Sequence, residues 1–145
     1  MHMENTIRQM AINSLRFHEQ VDEARTEKLL RAIVRDRVLR KPVVVDRRTR
    51  MVLDGHHRCH VFLRLGIPTI PCYMVDYFDE AITVTFRRPE MKNRLLKEII
   101  MRNAVQGRLF PHKTTKHRLV NRPVVNKPLP IPSKREIYST MKGTI

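Results

Sequence analysis

Met51-Val52-Leu53-Asp54-Gly55-His56-His57-Arg58 decides how this chain is read. It joins a short apolar run to a stretch, Cys59 to Leu65, with helical spacing. A carboxylate, a glycine, two imidazoles and a guanidinium therefore meet where a strand gives way to a helix N-terminus. Free backbone N–H groups and the helix dipole make such a terminus a seat for an anion. Glycine there lets the backbone come close to a ligand. Gly55, His56, His57 and Arg58 are accordingly candidate phosphate-binding residues. Asp54 is a candidate for Mg²⁺ or for orienting a histidine, and equally a turn former ahead of Gly55.

Working outward, Pro42 to Asp46 is a β-branched run, and Arg47-Arg48-Thr49 turns it into Met51–Leu53 as a hairpin. Asp22 to Arg37 is expected to be a helix with Leu29, Leu30, Ile33 and Val34 on one stripe. Ile7 to Asn13 is a candidate first strand, and Thr69 to Asp76 and Ala81 to Phe86 are two more. Gly66 suits the end of the Cys59–Leu65 helix. Pro89 opens a last helix that reaches about Ala104, with Leu95, Leu96, Ile99 and Ile100 facing inward. The elements read as α+β. From Leu119 the texture changes: Pro123, Pro128, Pro130 and Pro132 alternate with basic residues, which predicts an extended arm over 119–145 beyond a domain of 1–118. The arm is expected to pack on the domain or on a second subunit of a homodimer, or to remain a tail.

A chain of 145 residues can bury a core of its own. Its apolar runs fall short of the roughly 18 residues of a membrane span. Met1 to Met10 carries no apolar leader, so a cytoplasmic location without membrane attachment is expected. Two cysteines, Cys59 and Cys72, form neither a metal nor a disulfide pattern. The net charge of +15, with a pI near 10.9, calls for an anionic partner. Nucleotide phosphates and nucleic acid both qualify, and the basic residues are spread too widely for one DNA-reading helix. The imidazoles of His56, His60, His112 and His117 lack a zinc signature.

Two further islands carry chemistry. His18-Glu19 precedes the first long helix and offers a carboxylate as base or cap. Pro111-His112-Lys113-Thr114-Thr115-Lys116-His117 gathers hydroxyls, ammonium groups and imidazoles with no acidic residue, a composition that suits phosphate oxygens.

In this order the islands resemble the free L-serine kinases of the ParB/sulfiredoxin-like superfamily. Phe17-His18-Glu19-Gln20 is similar to a Pro-His-Glu segment, and Val52 to Arg58 to a Val-Asp-Gly-His-His-Arg segment. Val75-Asp76-Tyr77-Phe78-Asp79-Glu80 is similar to Asp-Tyr-Phe-Asp-Glu, and Gly107 to His117 to a run ending Pro-Lys-Thr-Thr-Arg-His. The resemblance implies a compact domain with a small mixed β-sheet flanked by helices. It also implies phosphoryl transfer from ADP or ATP, with Mg²⁺, to the hydroxyl of free serine or a close relative. Glu19 becomes the catalytic base, assisted by Asp54. Lys113, Thr114, Thr115 and His117 join Gly55–Arg58 around the phosphates. Phe86 and His117 face the acceptor amino acid. Where family members have Thr-Trp, this chain has Thr85-Phe86 followed by Arg87-Arg88. Sulfiredoxins carry a nucleophilic Cys at the slot His56 fills, which excludes their chemistry. The alternative reading is a nucleotide-responsive, ParB-like DNA-binding regulator. The chain lacks the carboxylate cluster of a two-metal nuclease.

Overall fold

The computed structural model describes residues 5–79, 81–86, 93–108, 115–119 and 122–131. In chain order these form β1 (Thr6–Ala11), α1 (Glu23–Asp36), β2 (Val38–Leu39), β3 (Val43–Asp46), β4 (Val52–Asp54) and α2 (His56–Arg64). They continue with β5 (Thr69–Val75), β6 (Ile82–Phe86), α3 (Asn93–Val105), β7 (Thr115–Leu119) and β8 (Lys127–Pro128). The central sheet runs β1-β5-β3-β4. β1 lies antiparallel to β5 and β4 antiparallel to β3, while β3 and β5 are parallel. A parallel pair needs a crossover, and α2 is the helix that makes it.

Side chains alternate across the sheet because strand periodicity is two. Val43, Val45 and Val52 point into one core with Ile33 of α1 and Cys59, Val61 and Phe62 of α2. Val44, Leu53 and Val75 point into a second core with Leu96, Ile100 and Ala104 of α3. Helices thus flank a mixed sheet on both faces. The β3–β4 hairpin turns as the sequence predicts, and the buried Asp46 fixes it. One carboxylate oxygen accepts from Thr49 N–H (3.0 Å) and Thr49 Oγ1 (2.7 Å), and the other accepts from Tyr77 N–H (3.0 Å).

Several boundaries differ from expectation for local reasons. β1 stops at Ala11 because Ile12–Ser14 coils into a 3-10 turn, with Ser14 Oγ donating to Ala11 O. α2 starts three positions before Cys59, since Gly55 at φ +110° lets the chain turn straight from β4 into helix. His56, His57 and Arg58 therefore form its first turn. The Thr115–His117 part of the expected loop is strand: β7 pairs antiparallel with β6, Phe86 opposite Thr115 and Val84 opposite His117. The expected border between 118 and 119 falls inside β7. Beyond it, β8 pairs with β2, and Leu129 and Ile131 enter the α1–α2 core. Residues 122–131 are thus part of the domain's packing rather than an appendage. The Arg87-Arg88-Pro89 and Pro111–Thr114 stretches and residues 132–145 lie outside the described residues.

Candidate functional site

The site forms where the segment before α1 meets the first turn of α2. Residues 18 to 22 dock on α2 through two bonds between backbone amides and imidazoles. His18 N–H donates to His56 Nε2 (3.3 Å), and Asp22 N–H donates to His57 Nε2 (3.0 Å). Glu19 sits between these anchors, one carboxylate oxygen 4.0 Å from His56 Nδ1, and its side chain is 13% exposed.

On the other side of the same helix start lies a cleft of about 730 Å³, lined by Asp54, Gly55, His57 and Arg58 and by Ala24, Arg25, Lys28, Leu29 and Ala32 of α1. A second hollow of about 290 Å³ shares Leu29, Ala32 and Arg58 with it and adds Ile33, Val38 and Leu39, with Arg40, Lys41 and the Arg40-paired Asp36 at its edge. Cations and a helix N-terminus thus adjoin an apolar floor. That is the chemistry of a ligand with a phosphate end and a flat, weakly polar end.

Asp54 anchors the cleft. Arg58 Nη2 donates to its Oδ2 at 3.2 Å, and Arg122 Nη1 donates to the same oxygen. Burial opposes the charge on Asp54, yet the guanidiniums of Arg58 and Arg122 hold it below the usual carboxylate range. Arg58 also donates through Nη1 to Lys41 O (2.9 Å) and Pro42 O (2.8 Å). The guanidinium that the sequence assigns to phosphate is therefore largely committed to tying β4, α2 and the connection that leads into β3 together. A magnesium ion keeps most of its waters and takes its remaining ligands from phosphates and one or two carboxylates. Asp54, a single carboxylate lining this cleft, fits that donor set.

Two of the sequence-assigned imidazoles lie elsewhere than expected. His56 is 4% exposed, is absent from the cleft lining and faces Glu19 instead of phosphate. His117 is 6% exposed, and both its nitrogens are engaged. Nδ1–H donates to Leu53 O, which leaves Nε2 to accept from Tyr77 Oη–H at 2.8 Å. Its ring therefore holds β7 against β4 rather than reaching a phosphate or an acceptor carboxylate. Between them stands His18, whose Nδ1–H donates to Val52 O (2.8 Å). Its ring lies 4.6 Å from His56 and 5.3 Å from His117, both edge-on. Burial pushes His18 down to about 4 and His117 down to about 3, and lowers His56 well below its ordinary value with help from its imidazole neighbours. All three work as neutral rings.

Glu19, Asp54, Gly55, His57 and Arg58 are brought together around the α2 N-terminus. Lys113 and Thr114 lie outside the described residues. Of Phe86 and Thr115, the backbones are register partners. Arg25, Lys28 and Arg122 are cations at the site that sequence reasoning passed over. The first two had a legible signal, because cations in the first two turns of a helix oppose its dipole. Arg122, next to Pro123 in a segment without periodicity, had none. Burial pushes the Cys59 and Cys72 thiols up to about 12, which leaves them inert. Among the described residues no cluster of three or more His, Cys, Asp or Glu side chains is arranged to hold a metal, and no helix is long and apolar enough to cross a membrane.

No family model matches the chain. It is 37% identical over 70 residues to a ParB-like protein of Sulfolobus acidocaldarius, covering 48% of this chain and 35% of that one. It is 31% identical over 97 residues to an ATP-dependent L-serine kinase of Staphylothermus marinus, covering 61% of this chain and 38% of that one. The chain thus spans little more than a third of these curated relatives. Its structure superimposes on a free serine kinase solved in complex with AMP with a TM-score of 0.71, covering 88% of this chain and 94% of that one at 14% identity. At that identity the likeness establishes the fold: this α+β domain is built as the free serine kinase structure is.

Proposed function

We propose that this domain transfers a phosphoryl group from ATP or ADP to the hydroxyl of free L-serine, giving O-phosphoserine. One observation carries the reading: a buried-edge carboxylate and a cationic, helix-capped cleft meet at one helix start, His56 facing Glu19 while His57 lines the cleft. The sequence likeness to an ATP-dependent L-serine kinase supports the same reaction.

In this mechanism the nucleotide's base lies on the Leu29, Ala32, Ile33, Val38 and Leu39 floor. Its phosphates rest against the Gly55–His57 backbone, with Arg25 and Lys28 compensating their charge across the cleft. Mg²⁺ bound at Asp54 would supply further neutralisation of the phosphates. The serine oxygen attacks the terminal phosphorus in line while the bond from that phosphorus to the departing nucleotide oxygen breaks, and Glu19 takes the hydroxyl proton. Lys113, Thr114 and Thr115 close the phosphate side and Phe86 the acceptor side, as the sequence resemblance implies.

Phosphorus NMR of the protein with Mg²⁺, L-serine and ATP or ADP tests this. A phosphomonoester signal matched by released ADP or AMP is expected. Glu19→Gln should abolish that signal and leave nucleotide affinity within about twofold, because the base acts in the transition state. Turnover by Glu19→Gln at the wild-type rate removes Glu19 as base. Nucleotide binding without any phosphoserine from the wild type removes serine as acceptor.

A further inference from the structure

We propose that His56 is a positioning residue whose Nδ1–H holds the Glu19 carboxylate toward the acceptor hydroxyl; the catalytic half of this rests on the function proposed above. A neutral imidazole has one donor and one acceptor nitrogen, and which is which follows from its partners. Behind the ring stands the His18 backbone N–H, a group that only donates, 3.3 Å from Nε2. Nε2 must therefore be the lone-pair nitrogen, and the ring proton sits on Nδ1, the atom that faces Glu19 Oε2.

The ring has little freedom to do otherwise. Phe17 lies 5.8 Å from it and His18 4.6 Å, centroid to centroid, and the residue is almost fully buried. The 4.0 Å to Glu19 Oε2 exceeds a hydrogen bond, but catalytic contacts are commonly long before substrate binds and tighten afterwards. His56 cannot compete with Glu19 for the hydroxyl proton, since its one basic nitrogen is taken by an amide. It can only donate.

His57 uses the same device toward the opposite side. Its Nε2 accepts from Asp22 N–H at 3.0 Å, so its proton also sits on Nδ1, in a side chain that lines the cleft. The histidine pair thus brackets the backbone on either side of Glu19, with Nδ1 of His56 facing the base and the His57 side chain lining the cleft. A Lys or Arg in place of His56 would add a buried charge beside the base, and an aliphatic side chain would offer no donor.

The substitutions that separate donor from anchor are His56→Asn and His56→Gln. The asparagine amide nitrogen falls near the position of Nδ1 and keeps a donor toward Glu19. The glutamine amide falls near Nε2 and keeps an acceptor for His18 N–H, with nothing toward Glu19. We expect kcat within about fivefold of wild type for His56→Asn and about 100-fold lower for His56→Gln, with nucleotide Kd unchanged in both. A purely structural His56 predicts the reverse order, because it is the glutamine that keeps the anchor. Equal rates for the two variants, or a faster His56→Gln, overturn the proposal. Nitrogen NMR of the wild-type imidazoles, recorded without substrate, is the second measurement. Protonated Nδ1 and bare Nε2 on His56 are expected, and the opposite tautomer overturns the proposal whether or not phosphoserine is ever formed.

Discussion

Arg25 and Lys28 stand one turn apart on α1 and face the α2 N-terminus across the cleft, whereas Arg58 on the near wall is held by two carbonyls and Asp54. These cations should therefore respond differently to truncation. Arg25→Ala and Lys28→Ala should each weaken nucleotide binding about tenfold at low salt, with no change in melting temperature, since only a charge-assisted contact to phosphate is lost. Arg58→Ala should lower the melting temperature, and Arg58→Lys should not restore it, because an ammonium cannot reproduce a planar fork that spans two carbonyls and a carboxylate. Calorimetric titration and thermal unfolding of these variants check both statements. At this scale short spacing places Asp54, Gly55 and His57 at one helix start, whereas Glu19, far earlier in the chain, reaches that start only because the backbone on either side of it docks on His56 and His57. The sequence could not tell which imidazoles face a ligand. His56 and His117 are turned inward by partners distant in the chain, the amide of His18 and the hydroxyl of Tyr77.

At the scale of elements, the strand-to-helix junction leaves no room for a side chain at Gly55. A Cβ on Gly55 would stand 2.4 Å from Val43 Cγ1 and 3.0 Å from Arg58 Nη2, at a φ of +110° that L-residues rarely adopt. Gly55→Ala should cost roughly 2–4 kcal/mol of stability, from backbone strain and overpacking together. Urea unfolding measures this, and a loss under about 1 kcal/mol would mean that β3 can move away from α2 at little cost. The main helices were legible because their apolar periods run long enough to be counted, and β3, β4 and β5 because short apolar or β-branched runs lie between turn residues. β2 and β8 have two residues each, and β8 contains Pro128, so neither carries a period. β7 reads Thr-Lys-His-Arg-Leu, and its buried inward residue is a histidine, with Leu119 two positions on packed against the second core. Its partner β6 supplies the ladder that defines it.

Across the whole molecule, the buried imidazoles make stability depend on pH. In the unfolded chain a histidine takes up a proton below about pH 6.5, whereas His18 in the folded protein resists until about 4 because burial disfavours its charge. The unfolded state therefore binds more protons in that window, and stability is lost as pH falls from about 6.5 toward 4. His18 alone accounts for roughly 3 kcal/mol of that loss. His117, pushed down to about 3, acts in the same direction. Urea midpoints measured between about pH 7 and pH 5 should fall steadily, and a flat profile would show that these rings remain hydrated. The charge of +15 was plain from composition, but its distribution was not. Arg122 sits in a proline-rich stretch that resembles a tail, yet its guanidinium closes on Asp54 and reaches back to His117 O.

That closure has a temporal side. Val125 N–H and Asn126 N–H donate to Arg40 O, Leu129 N–H donates to Arg37 O, and Ile131 O accepts from the Arg37 side chain. The loop that follows α1 is thus stapled by residues about ninety positions further along the chain. A ribosome adds those positions over several seconds, at ordinary elongation rates of about 5–20 residues per second. Throughout that interval β2 has no strand partner, and the wall of the cleft near Arg40 waits for residues still to be synthesised. A nascent chain halted before Arg122 would carry Glu19, Asp54 and both site histidines, and would still lack the guanidinium that shares Asp54 with Arg58.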